Sequence, residues 1–175
     1  RGYLVTNYDP EGRPTIFDQL KNRLETRFIS VGRLDMDSEG LILLTNDGDL
    51  ARKLELPATG WLRKYRVRVH GYVIPKDLEP LKNGIVIDGI KYGRIDAALD
   101  RQQGSNAWLT LSFREGKNRE VRKVMNHLGY DVNRLIRVSF GPFNLKDLPS
   151  GELQEVKNRV LNDQLGLSKP KKFKQ

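Results

Sequence analysis

The chain contains no cysteine, which excludes disulfides, thiolate metal sites and cysteine nucleophiles together. That absence fits a reducing cytoplasm, the compartment expected for this protein. Histidine is nearly as scarce. His70 and His127 are the only two, too few for a histidine metal cluster and little material for a Ser-His-Asp relay; both are read as structural. No stretch of this chain approaches the roughly 18 consecutive apolar residues of a membrane-spanning helix, and no secretory leader pattern is present. An initiator methionine is missing too: the sequence opens at Arg1 and runs at once into the strand-like Tyr3-Leu4-Val5-Thr6, so a preceding segment is expected to have been removed. Negative charge is in the minority, with 22 Asp and Glu against 31 Lys and Arg and a net charge of +9. Lys169, Lys171, Lys172 and Lys174 hold four of those charges, which leaves +5 for the rest. A surplus spread over the body favours a polyanionic partner, because basic side chains neutralise phosphates and release counterions. Charge alone says nothing about chemistry.

What is present is a strand-rich pattern. Tyr3–Thr6 reads as a strand, and Thr15 with Asp18 three residues on reads as a helix start. Phe28–Val31 is a short apolar strand, Leu41–Thr45 an apolar run expected to be buried on both faces, and Asn46-Asp47-Gly48 turns into a helix ending before Pro57. Between Lys64 and His70 the chain alternates, with Tyr65, Val67 and Val69 on one face and Lys64, Arg66, Arg68 and His70 on the other. Pro75 and Gly84 bracket a short helix. Further strands are expected near Tyr92–Leu99, Ala107–Phe113 and Leu135–Phe140. Val121, Val124, Met125 and Leu128 form the apolar stripe of a helix over Asn118–Leu128, and a last helix is expected between Glu152 and Leu165. Strands outnumber helices without alternating with them, so the fold class is α+β, with a mixed, mostly antiparallel sheet flanked by helices.

Two segments carry chemistry. The loop Gly32-Arg33-Leu34-Asp35-Met36-Asp37-Ser38-Glu39-Gly40 holds three acids beside one arginine. Its residues allow a solvated acidic turn, a Mg²⁺ site on Asp35 and Asp37, or a lone carboxylate nucleophile in basic surroundings. A D-x-D pair is too common to choose among them. The second segment, Phe113 to Lys123, packs Arg114, Lys117, Arg119, Arg122 and Lys123 around a glycine and a helix start, a ready phosphate site. Arg119 and Arg122 are spaced to project from one side of that helix.

Read together, Gly32-Arg33-Leu34-Asp35, Lys64-Tyr65-Arg66-Val67, Glu115-Gly116-Lys117-Asn118-Arg119-Glu120-Val121-Arg122 and Arg134-Leu135-Ile136-Arg137 strongly resemble the bacterial ribosomal-RNA pseudouridine synthases. The branch is the one that includes the small-subunit enzyme and the large-subunit enzymes B, E and F. The resemblance runs from Gly2 to about Gly151, and Asn118–Arg122 is most similar to the enzyme B group of that branch. It implies the pseudouridine synthase catalytic fold over residues 1–165, followed by a basic, disordered tail at 166–175. Members usually carry an N-terminal S4-type RNA-binding domain, which nothing here resembles, so weak RNA binding is expected of this chain alone.

The resemblance also implies the roles. Asp35 is the expected nucleophile, Tyr65 stacks on the target base and takes part in proton transfer, and Arg122 pairs with Asp35 and keeps it ionised against desolvation. Arg33 helps fill the gap left by a flipped uridine. Lys117, Arg119, Lys123 and Arg134 are expected on the RNA-binding surface, and Leu135 and Ile136 on the base pocket. The implied activity is site-specific conversion of uridine to pseudouridine in ribosomal RNA, with 23S RNA or a large-subunit assembly intermediate as the partner. The enzyme is expected to be a monomer and to need neither metal nor cofactor. The competing readings are a non-catalytic RNA-binding module in ribosome assembly and a Mg²⁺-dependent phosphotransferase using Asp35 and Asp37, for which no Gly-rich phosphate loop is present.

Overall fold

The computed structural model describes residues 1–166. The chain divides into two compact units, Arg1–Leu145 and a second that begins at Lys146. In the first unit the elements run α1 (Ile16–Leu20), β1 (Ile29–Val31), β2 (Glu39–Gly40), β3 (Leu43–Thr45), α2 (Gly48–Glu55), β4 (Arg63–His70), β5 (Ile85–Ile87), β6 (Ile90–Tyr92), β7 (Asp96–Gln103), β8 (Asn106–Phe113), α3 (Glu120–His127), β9 (Asp131–Phe140) and β10 (Phe143–Asn144). The second unit contains α4 (Asn158–Gln164), shorter than the helix expected from Glu152 to Leu165. Apart from Gly166, the expected basic tail lies outside the described residues.

One sheet dominates, in the order β10-β9-β4-β8-β7, every neighbouring pair antiparallel, with β2 joined in parallel to β9. The sheet is therefore mixed and mostly antiparallel, as the strand-rich pattern predicts. Alternation in β4 and β8 builds the core. Tyr65, Val67 and Val69 share the inner face with Ala107, Leu109, Leu111 and Phe113, and α3 adds Val121, Val124 and Met125 to the same cluster. Burying each of the larger aliphatics contributes on the order of 2 kcal/mol. Leu109, on β8 between β4 and β7, has no exposed surface. We expect Leu109→Ala to lower the unfolding free energy by about 2–5 kcal/mol, read as a drop in the urea midpoint at unchanged slope.

Several boundaries differ from the sequence reading, for local reasons. Tyr3–Thr6 forms no strand; Leu4 makes a single parallel bridge to Thr15, beside the capping box in which Thr15 and Asp18 start α1. The apolar run Leu41–Thr45 is not a continuous doubly buried strand. Its strand is only β3, half-buried throughout, while Leu41 donates its N–H to the Arg137 carbonyl at 2.8 Å. The interruption begins at Gly40, where φ is +115° and a Cβ would collide with the Arg137 backbone, so the close approach of β2 to β9 requires glycine. The segment Pro75–Asn83 is a 3-10 helix instead of an α-helix, with Pro80 inside it, where a missing N–H breaks the α pattern. Tyr92–Leu99 is two strands parted by Gly93 and its neighbours.

The β4–β9 pairing contains a register shift close to the cleft. Lys64 lies opposite Ser139 but Tyr65 opposite Arg137, so Val138 is the extra residue. Such a bulge re-aims side chains at the rim of a sheet, and here it puts Tyr65 and Arg137 across from one another.

Candidate active site

The loop between β1 and β2 leaves Val31 through Gly32, whose φ is +69° and whose N–H donates to Glu55 Oε1 at 2.8 Å. Its three acids then take different partners. Glu39 receives a two-pronged contact from Arg134, Nε to Oε2 at 3.0 Å and Nη2 to Oε1 at 3.1 Å. Asp37 is gripped by Arg119 through both oxygens, at 3.1 and 2.9 Å. Arg122 adds Nε at 3.3 Å from Asp37 Oδ2, and its Nη2 donates to the Asp37 carbonyl at 2.9 Å. Asp35 is left with one long contact, 3.5 Å to Arg119 Nη1, and its side chain is 43% exposed. Two acids thus pin the loop through arginines of α3 and β9, and the third is the acid still free to react.

The pinning acids are held ionised. Hydrogen bonding from Arg119, against opposing desolvation, holds Asp37 below the usual carboxylate range, and Arg134 does the same for Glu39. A carboxyl with a depressed folded-state pKa contributes stability above its unfolded pKa and loses it as pH falls through the folded value. We therefore expect the stability gap between wild type and Asp37→Asn to be full near neutrality and to close below about pH 4. Urea unfolding at stepped pH measures it, and a gap unchanged at acid pH would contradict the assignment.

Arg119 sits at the N-cap of α3 with φ +49° and ψ +34°, a left-handed conformation costing a non-glycine residue on the order of 1 kcal/mol. Strain of this kind persists where surrounding contacts hold it, and here the contacts are Asp35 and Asp37.

Asp35 opens onto a cleft of about 530 Å³ whose lining includes Arg33, Tyr65, Lys117, Arg119 and Leu135, a volume suited to a nucleoside. Tyr65 is buried, its ring stacked on Phe113 with centroids 5.3 Å apart and planes 8° from parallel. Beneath lies Arg137, 3% exposed, donating from Nε to the Leu41 carbonyl at 2.9 Å and lying 5.2 Å over the Phe140 ring. Its buried Nη2 has no hydrogen-bond partner among the described residues. Burial pushes its pKa down, and the facing Tyr65 hydroxyl pushes the other way.

The structure brings Asp35, Tyr65, Arg33, Lys117, Arg119 and Leu135 to one cleft and leaves four expected site residues elsewhere. Arg122 does not pair with Asp35; its carboxylate contact is Asp37, and the guanidinium next to Asp35 belongs to Arg119. Ile136 is not among the cleft-lining residues, because successive residues of β9 point to opposite faces and Leu135 takes the inner one. Arg134, next along, projects near Trp108 and is engaged by Glu39. Lys123 is exposed on α3, its nearest polar partner Asn118 Oδ1 at 3.4 Å. Missing from the sequence reading were Arg63, Phe113, Glu120 and Arg137, all on the cleft. The alternation that excludes Ile136 also places Arg137 beside Leu135.

A carboxylate bordered by arginine thus lies on a basic cleft of nucleoside size, beside a stacked tyrosine. Among the described residues no group of three or more His, Asp or Glu side chains is arranged to hold a metal ion, and Asp37 is already paired with two arginines. The sequence pattern of the RNA pseudouridylate synthase family matches residues 1–127. An uncharacterized RNA pseudouridine synthase of Rickettsia bellii is 45% identical over 159 residues, covering 91% of this chain and 68% of that protein. Ribosomal large subunit pseudouridine synthase B of Yersinia pestis is 39% identical over 162 residues, covering 92% of this chain but 51% of its own length. The crystal structure of a pseudouridylate synthase superposes with a TM-score of 0.80 at 26% identity, covering 94% of this chain and 70% of that one. The chain belongs to the RNA pseudouridylate synthase family, isomerases that convert uridine to pseudouridine.

Proposed function

We propose that this protein isomerises a uridine of ribosomal RNA, in the 23S molecule or a large-subunit assembly intermediate, with Asp35 as the nucleophilic carboxylate. The observation that carries the role of Asp35 is the division of labour in its loop: Asp37 and Glu39 are committed to arginines, and Asp35 alone opens onto the cleft. The ribosomal substrate rests on the likeness to enzymes named for the large ribosomal subunit and on the net charge of +9.

The chemistry needs no change of oxidation state. The N1–C1′ bond breaks, the base turns, C5 bonds to C1′, the hydrogen on C5 leaves as a proton and N1 ends up protonated. As N1 departs, positive charge grows on C1′, and a carboxylate beside it lowers that barrier by covalent capture or by charge. Arg119, 3.5 Å away, supplies the cation beside that carboxylate on the cleft lining. Tyr65, fixed flat against Phe113, offers a rigid apolar face for the flipped base, and Leu135 closes the pocket beside it. Arg33, on the cleft lining, would fill the gap left by the flipped uridine, and Lys117, also on the lining, would meet the backbone phosphates. Arg134 and Lys123 lie beyond the cleft; Lys123 is free to meet more distant phosphates, whereas Arg134 serves the loop.

Transfer of C1′ to C5 must expel the C5 hydrogen, so ribosomal RNA tritiated at uracil C5 should release label to water when the protein is added. Release should be unaffected by EDTA. RNA binding without release would favour the non-catalytic module instead.

A further inference from the structure

Glu120 is the first residue of α3, lies on the cleft, and takes no part in the chemistry above. It is 3% exposed, and both carboxyl oxygens are buried without a hydrogen bond from any donor group among the described residues. The group it meets is another acid, Glu115. Glu115 is fully engaged: Oε1 lies 2.8 Å from Lys117 Nζ, and Oε2 accepts the Gly93 N–H at 3.1 Å. Two ionised carboxylates in contact, one of them buried with no donor, would carry an uncompensated charge. One proton between them removes the conflict, because a protonated carboxyl donates where an ionised one only accepts.

The environment assigns that proton to Glu120. Burial, then the neighbouring Glu115, push the Glu120 pKa up to about 8, against the opposing pull of Lys117 and Arg63. For Glu115, burial works in the same upward direction, but Lys117 and the Gly93 N–H outweigh it and hold it below the usual carboxylate range. Lys117 and Arg63, the cations facing this acid pair, both line the cleft.

We propose that Glu120 works as a neutral carboxylic acid donating its proton to Glu115, and that this acid pair is a positioning device keeping Lys117 and Arg63 available to the RNA backbone. The inference rests on the reading of the cleft as an RNA site. With Glu120 neutral, Lys117 balances one carboxylate. With Glu120 ionised, a second negative charge stands behind the same cation and opposes an approaching phosphate. The RNA should then be held less well while the reacting groups, Asp35 and Tyr65, stay as they were, so KM rises and kcat does not change.

The test follows a fluorescent uridine-containing RNA stem-loop by anisotropy from neutral pH to about pH 9.5, with ¹³C NMR of glutamate carboxyls read on the same protein samples. Wild-type affinity should weaken about fivefold, the upper end of what one partly exposed charge contact contributes, through a midpoint near 8. Glu120→Gln, which keeps a donor and cannot ionise, should keep the neutral-pH affinity and abolish the alkaline decline; Glu120→Ala, equally unable to ionise, should lack the decline too. The same decline in Glu120→Gln as in wild type would overturn the proposal, and so would a Glu120 carboxyl resonance that stays at the ionised position across the whole range. A resonance titrating near 8 in a protein that binds no RNA at any pH would refute the RNA reading of the cleft while upholding the acid pair.

Discussion

Asp35→Asn is expected to lower pseudouridine formation at least about 10⁴-fold, the scale on which removal of an enzyme nucleophile is felt, while RNA binding stays within a few-fold of wild type. The amide has the size and shape of the carboxylate and lacks its charge and nucleophilicity. Little else should change, because Asp35 contributes one exposed contact of 3.5 Å, worth at most about 1 kcal/mol, and the loop is held by Asp37 and Glu39. The measurement is single-turnover tritium release set against anisotropy with the same RNA. Turnover within tenfold of wild type would remove Asp35 from the centre of the mechanism.

Arg119→Ala should lower kcat about 10²- to 10³-fold, the usual effect of deleting a preorganised charged donor next to the reacting group, and should cost more turnover than Arg122→Ala. Arg119 is the one guanidinium touching both Asp35 and Asp37. Arg122 reaches only Asp37 and two backbone carbonyls, at Asp37 and Val132, so its loss should appear chiefly as lowered stability. Arg119→Lys should recover part of the rate, since an ammonium supplies charge but cannot reproduce a planar two-pronged grip. The reverse ranking, Arg122→Ala crippled and Arg119→Ala near wild type, would restore the pairing that the motif alone suggests.

That ranking marks the limit of what the sequence discloses. Period-two alternation in Lys64–His70 correctly puts Tyr65 on the inner face with Val67 and Val69, and the Val121, Val124, Met125 stripe correctly finds α3. The motifs identify the cleft because they are short, local and in order. Pairing of Arg122 with Asp35 fails for a reason no spacing reveals. The backbone turns left-handed at Arg119, and it is Arg119 that reaches Asp35, while Arg122 meets Asp37. Arg137 was missed because a charged residue in a strand reads as exposed; its burial follows from the bulge that sets it opposite Tyr65 and from the glycine that lets β2 close over β9. Glu120 read as one acid of a basic helix start, and only the third dimension shows that it faces Glu115. Contacts made only in three dimensions decided each of these cases, and a linear pattern does not encode them.

Asp35 acting on ribosomal RNA is the central proposal. Its most direct test is pseudouridine mapping of ribosomal RNA from cells lacking the gene, complemented with the wild-type gene or with Asp35→Asn. One pseudouridine should vanish from the RNA of the deleted strain, return with the wild-type gene and stay absent with Asp35→Asn at equal protein level. An unchanged map in the deleted strain, or full restoration by Asp35→Asn, would contradict it.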